Sequence, residues 1–208
     1  MDSEADGHHC TSGLNPWRAR CGEIRSAGSE GGPGKRIGRN ADTAPRSDPY
    51  TEHRTGEGKL YLCAIKDVFS NRIVGYSIDS RMKSQLAIRA LHSAVARRGD
   101  VAGCILHSDR GSQFRSRKFV HALNQHEMVG SMGRVGAAGD NAAIESFFSL
   151  LQKNVLDRRR WDTREQLRIA IVTWIERTYH RRRRQSGLGR LTPIEFEAIM
   201  TTPASQAA

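Results

Sequence analysis

The sequence predicts a mixed α/β fold with a sheet flanked by helices, and three features between Lys59 and Phe196 predict it. Short runs rich in β-branched residues lie between turn signals, longer segments repeat with the 3.6-residue period of a helix, and the two kinds alternate along the chain. Leu60–Val68 (LYLCAIKDV) reads as a strand, Phe69–Arg72 as a turn and Ile73–Ile78 (IVGYSI) as its partner strand. Met82–Arg97 follows as a helix, with Leu86, Ala90, Leu91, Ala94 and Val95 on one face. Cys104–His107 is a short apolar strand running into Ser108-Asp109. Phe114, Phe119, Val120 and Leu123 mark a second helix, and Met128–Met132 a short strand. A Gly-containing link, 133–139, leads to a helix over about 141–156, and a further amphipathic helix spans Thr163–Tyr179, with Leu167, Ile171, Trp174 and Ile175 inward.

Residues 1–50 are unlike the rest. They hold eight of the twenty glycines, four of the six prolines and only thirteen apolar residues, without a period of 2 or 3.6. The expected organisation is therefore a disordered or unrelated leader over 1–50, a core over 51–160, and carboxyl-terminal helices with a basic tail over 161–208. Gly31-Gly32-Pro33-Gly34-Lys35 is not a phosphate loop: Ser29 and Arg36 stand where that motif needs Gly and Ser or Thr, and no strand precedes it. No nucleotide cofactor is expected.

The 208 residues carry 33 basic and 22 acidic side chains, a net charge of +11. Residues 1–50 are balanced at seven each, so the whole excess lies in 51–208, which favours a polyanionic partner. No uncharged apolar run reaches 18 residues and no signal segment opens the chain, so a cytoplasmic, nucleoid-associated location without membrane contact is expected. Cys63 and Cys104 sit in apolar runs and read as buried thiols, and His8, His9, Cys10 and Cys21 fit no zinc spacing.

Two carboxylates stand out. Asp109 follows a short apolar strand and opens the turn Asp109-Arg110-Gly111-Ser112; active-site residues gather at the carboxyl ends of strands in α/β sheets. Glu145 lies early on a helix whose other face is apolar (Ile144, Phe147, Phe148, Leu151), where the helix dipole favours a negative charge. Two acids held close repel unless cations sit between them.

The motif Ile105–Phe114 (ILHSDRGSQF) resembles the second-Asp motif of the integrase-like transposases of bacterial insertion sequences, family three, OrfB type. Gly139–Phe148 (GDNAAIESFF) resembles that family's Glu motif, and 35 residues separate Asp109 from Glu145, the family interval. Tyr179–Arg184, Leu188-Gly189 and Leu191–Phe196 resemble its carboxyl-terminal motif, and the likeness covers roughly 51–198. The resemblance implies an RNase H-like fold of the retroviral integrase core kind, and metal-assisted DNA strand cleavage followed by strand transfer without a covalent intermediate. It further implies two Mg²⁺ or Mn²⁺ ions held by Asp109 and Glu145, DNA (element ends and target) as partner, and homo-oligomers on DNA. In the family a separate helix-turn-helix segment reads the element's ends; none is legible here.

The chain departs from the family pattern at the first of three carboxylates, which belongs to Asp-x-Thr-Glu on the central strand. Thr51–Gly58 matches the flank, but two positions before Thr51 stands Pro49, and Asp48 lies one further upstream. A one-residue slip turns a side chain to the wrong face, so Asp48 reaches the site only through a bulge. An abrupt change at residue 50 is what translation in another frame or from a displaced start produces, and the coding DNA upstream of Thr51 tests this. Asp67, at a hairpin turn, reads as a turn former.

Seven residues after Glu145, where the family places a basic residue, stands Gln152; Lys153 is next, roughly 80° round the helix. Lys153, Asn141 and the basic run Arg181, Arg182, Arg183 and Arg184 are the expected DNA contacts, the last four through backbone phosphates, with a helix cap as the other reading of Asn141. Two functions from different classes follow: a DNA strand-transfer enzyme with an impaired site, or a catalytically dead DNA-binding fragment that interferes with an intact transposase.

Overall fold

The computed structural model describes residues 24–25, 50–108, 111–132 and 142–201. Its elements are β1 (Ile24–Arg25), β2 (Tyr50–Thr55), β3 (Gly58–Asp67), β4 (Ile73–Asp79), α1 (Ser84–Arg98), β5 (Ile105–Ser108), α2 (Arg117–Gln125), β6 (Val129–Met132), α3 (Ala142–Asn154), α4 (Arg164–Thr173) and α5 (Pro193–Thr201). The sheet runs β2-β3-β1-β5-β6, with β4 on the opposite edge of β3. Strands β2, β3 and β4 are antiparallel neighbours, whereas β5 runs parallel to both β1 and β6.

Alternation along β3 explains the layering. Cys63 and Ile65 point to one face and bury against α1 and α2 with Leu86, Leu91, Leu106 and Phe119. Leu60, Leu62 and Ala64 point to the other and bury with Ile144, Phe147 and Leu151 of α3 and Leu167 and Ile171 of α4. The sheet is thus covered on both faces. Cys63 and Cys104 are both buried, as expected.

Local chemistry sets the ends of the helices. Ser116 accepts from the Phe119 N–H at the start of α2, and Thr163 from the Gln166 N–H at the start of α4. At α5 the Thr192 hydroxyl accepts from the Glu195 N–H while the Glu195 carboxylate accepts from the Thr192 N–H; this reciprocal cap, with Pro193 in the first turn, is what the Thr-Pro-Ile-Glu sequence builds. Helix α4 continues into a wide π turn, Trp174–Tyr179, closed by the His180 N–H donating to the Ile175 carbonyl. That turn brings Tyr179 and His180 inward together: the Tyr179 hydroxyl donates to the Asn71 carbonyl at 3.0 Å, and His180 Nε2 accepts from the Ile73 N–H at 3.1 Å.

Asp67 forms the expected turn, accepting from the Phe69 N–H at 2.8 Å. It also joins a buried ionic cluster: Arg98 Nη2 lies 2.6 Å from Asp67 Oδ2 and 2.5 Å from Glu197 Oε1, and Arg72 Nη1 lies 2.5 Å from Glu197 Oε2. The hairpin turn, α1 and α5 are tied at one point.

Within the stretch expected as a leader, Ile24–Arg25 form a strand of the sheet. Ile24 pairs with Asp67 and Leu106, and Arg25 with Lys66 and His107, so among the described residues these two bridge β3 to β5. The physical reason is not local: a gap at the centre of a sheet leaves backbone donors and acceptors of both neighbours unpaired, and any extended dipeptide can fill it.

Candidate active site

The shared register puts Lys66, Arg25 and His107 in one row across the sheet. Adjacent strands lie about 4.8 Å apart, so with β1 between them the antiparallel β3 and β5 bring Lys66 and His107 within about 10 Å of each other. Leu106 faces the α1–α2 side; alternation therefore puts Ile105 and His107 on the α3 side. Lys66, the next even-numbered residue after Ala64, also faces α3, and its Nζ donates to the Ala143 carbonyl at 2.9 Å. This bond fastens the start of α3 to β3 in the row that passes through His107, one residue before β5 ends.

Glu145 lies in the first turn of α3, two residues beyond Ala143, and is partly exposed while its neighbours Ile144 and Phe147 are fully buried. Its carboxylate is thereby directed away from the core that anchors the helix. Asp109 directly follows Ser108, the last residue of β5, but Asp109, Asn141 and Asp48 lie outside the described residues.

The basic candidates are spread more widely. Lys153 is exposed in the last turn of α3, eight residues and about 12 Å along the axis from Glu145, so it does not join Glu145. The neighbouring Gln152 side chain is engaged by Asp157. Arg181, Arg182, Arg183 and Arg184 are all exposed, immediately after the buried Tyr179 and His180. Tyr179 stacks edge-on against Phe147 of α3, with centroids 5.1 Å apart, so the basic turn is carried on the same helix that carries Glu145. Arg184 Nη2 lies 3.8 Å from Glu195 Oε1 and so spends part of its charge within the chain.

Lys66 is the residue that motif reading passes over. It is 5 % exposed, and burial lowers its pKa to about 8. The signal was present in the sequence as a lone lysine inside the apolar run Leu60–Val68.

Glu145 is a hard oxygen donor, partly open to water, and suits a divalent cation that keeps part of its hydration. Among the described residues, which do not include Asp109 or Asp48, no group of three His, Cys, Asp or Glu is placed to hold an ion, and β1 contributes Ile24 and Arg25, neither a carboxylate. No helix among the described residues is long and apolar enough to cross a membrane.

Mixed sheet order, helices on both faces and an acid at the head of α3 define the catalytic-core fold of the integrases, an RNase H-like fold. Among solved structures, the HTLV-2 integrase catalytic core domain in complex with magnesium superposes with a TM-score of 0.54 at 18% identity, over 71% of this chain and 90% of that one. A chain of the simian T-cell lymphotropic virus intasome in complex with PP2A regulatory subunit B56 gamma gives 0.55 at 18% identity, over 74% of this chain and 53% of that one. Two integrase core domain profiles match residues 47–138 and 127–193. Transposase InsF for insertion sequence IS3A of Escherichia coli K12 is 40% identical over 144 residues, 69% of this chain and 50% of InsF. The transposase for insertion sequence element IS904 of Lactococcus lactis is 37% identical over 143 residues, 69% of this chain and 56% of that protein. The chain belongs to the IS3-type integrase-core transposases, and it spans about half the length of the curated relatives it matches.

Proposed function

We propose that this chain is the catalytic-core part of an insertion-sequence transposase, acting on DNA in the bacterial cytoplasm and assembling with further copies on DNA. The observation that carries this reading is the fastening of α3, with Glu145 in its first turn, to the sheet at Lys66, in the row of His107, two residues before Asp109. In the complete reaction, water attacks a phosphodiester and frees a 3′-hydroxyl, and that hydroxyl then attacks a second phosphodiester, displacing its 3′ oxygen. Asp109 and Glu145 would hold two Mg²⁺ or Mn²⁺ ions, which when bound would supply charge stabilisation to the attacking and leaving oxygens. The HTLV-2 core carries magnesium in its own structure, which supports the choice of cation. Arg181–Arg184 and Lys153 neutralise DNA phosphates, and Asn141 contacts DNA without adding charge.

This copy works poorly, because Pro49 stands where the first carboxylate belongs and Ile24–Arg25 occupy the central strand. The same observation favours the second reading, a DNA-binding fragment without catalysis that competes with an intact transposase. Incubation with DNA carrying the element's ends, with and without Mg²⁺, tests both. Trace Mg²⁺-dependent nicking that Asp109→Asn and Glu145→Gln abolish is the expected result. Salt-sensitive binding without nicking establishes the second reading, and neither binding nor nicking contradicts both.

A further inference from the structure

We propose that Lys66 is a positioning residue for Glu145: its buried ammonium, donating to the Ala143 carbonyl, holds the first turn of α3 at the end of β3. The proposal rests on the reading of Glu145 as a metal ligand and names what keeps that ligand in place.

The strand around Lys66 is apolar on the same face, with Leu60, Leu62 and Ala64 all buried against α3 and α4. A leucine or methionine at position 66 would satisfy that face without desolvating a charge. Lysine there is unfavourable for stability, and the fall of its pKa to about 8 reflects the same desolvation. Among the described residues, Nζ meets the Ala143 carbonyl at 2.9 Å. That carbonyl does not require it: in a helix it already accepts from the N–H four residues on, and a carbonyl oxygen has a second lone pair to offer. The bond therefore repairs no helix end. What it does is couple a sheet strand to a helix across 77 residues of sequence. Glu145 follows Ala143 by two residues, about 3 Å along the axis, so a shift of the first turn displaces its carboxylate almost one for one. Magnesium tolerates little such displacement, because it demands near-ideal octahedral geometry.

The position of Lys66 allows a second role, in which it only offsets negative charge near the acids, and the two roles give opposite signs. Deleting a cation beside carboxylates strengthens binding of a divalent ion, whereas releasing a positioned ligand weakens it. Lys66→Met keeps an unbranched side chain one atom shorter and removes both charge and donor. In the full chain, this variant is expected to melt at or above the wild-type temperature. It should exchange amide hydrogens faster at residues 144–148 but not at 150–154, and bind Mn²⁺, followed by the loss of its free electron-spin resonance signal, about tenfold more weakly. Should Lys66→Met fail to fold, Lys66→Gln carries the same comparison. Unchanged exchange at 144–148, or tighter Mn²⁺ binding, overturns the proposal. Wild-type chain that binds no Mn²⁺ instead removes the reading of Glu145 as a ligand, while the exchange measurement still decides whether Lys66 anchors the helix.

Discussion

His180 shows how one side chain can tie stability to pH. It is fully buried, with Nε2 accepting from the Ile73 N–H and Nδ1 donating to Glu176 Oε2 at 3.2 Å. Burial pushes its pKa down to about 4, against the upward pull of Glu176. Between pH 6.5 and 4 the unfolded chain binds the proton and the folded one does not. The contribution is therefore complete above pH 6.5 and is lost as pH falls toward 4, by roughly 3 kcal/mol. Urea unfolding at pH 7 and pH 4.5 checks this, and His180→Phe is expected to be less stable at pH 7 with a flatter profile, because the Ile73 N–H loses its acceptor. Glu197 makes a second such case. Glu197→Ala leaves Arg98, whose side chain is 4% exposed, short of a carboxylate, and a loss of about 3 to 5 kcal/mol in the same assay is expected.

The close approach of α1 to β4 depends on Gly75. A Cβ there would stand 2.2 Å from the Ala90 carbonyl oxygen and 2.7 Å from the Ala94 Cβ, so Gly75→Ala is expected to destabilise by about 1 to 3 kcal/mol, measured by denaturant midpoint. This contact, like the helices themselves, has a trace in the sequence: Ala90 and Ala94 sit on the buried stripe of α1 because nothing larger fits beneath the strand. Apolar periods located α1, α2 and α4, and Thr163 marked where α4 starts. The β3–β4 hairpin was equally legible, since its turn chemistry is local. Ile24–Arg25 were not, because nothing in those two residues marks a strand; the demand comes from β3 and β5, which lie far away in sequence. Asp67 was readable as a turn former but not as a partner of Arg98 and, through it, of Glu197, because those partners are fixed only when α1 and α5 have docked. The candidate acids were legible through their motifs. Lys66 was visible only as a charge out of place, and its meaning comes from the helix laid over it.

The net charge of +11 resides outside the first fifty residues, and the exposed run Arg181–Arg184 concentrates it beside α3. Replacing these four arginines with alanine is expected to weaken DNA binding and to flatten its dependence on salt. The slope of log K against log salt should fall by up to about 3.6, since each phosphate contact contributes about 0.9. An unchanged slope would place the DNA elsewhere on the surface. Everything proposed about catalysis depends on Asp109 and Glu145 sharing a cation. Crystals grown with manganese, with anomalous scattering recorded at the manganese edge, address this directly. A peak lying within about 2.2 Å of both carboxylates, a distance normal for such an ion, is the predicted result. Carboxylates on opposite sides of the sheet, with no peak touching either, would contradict it.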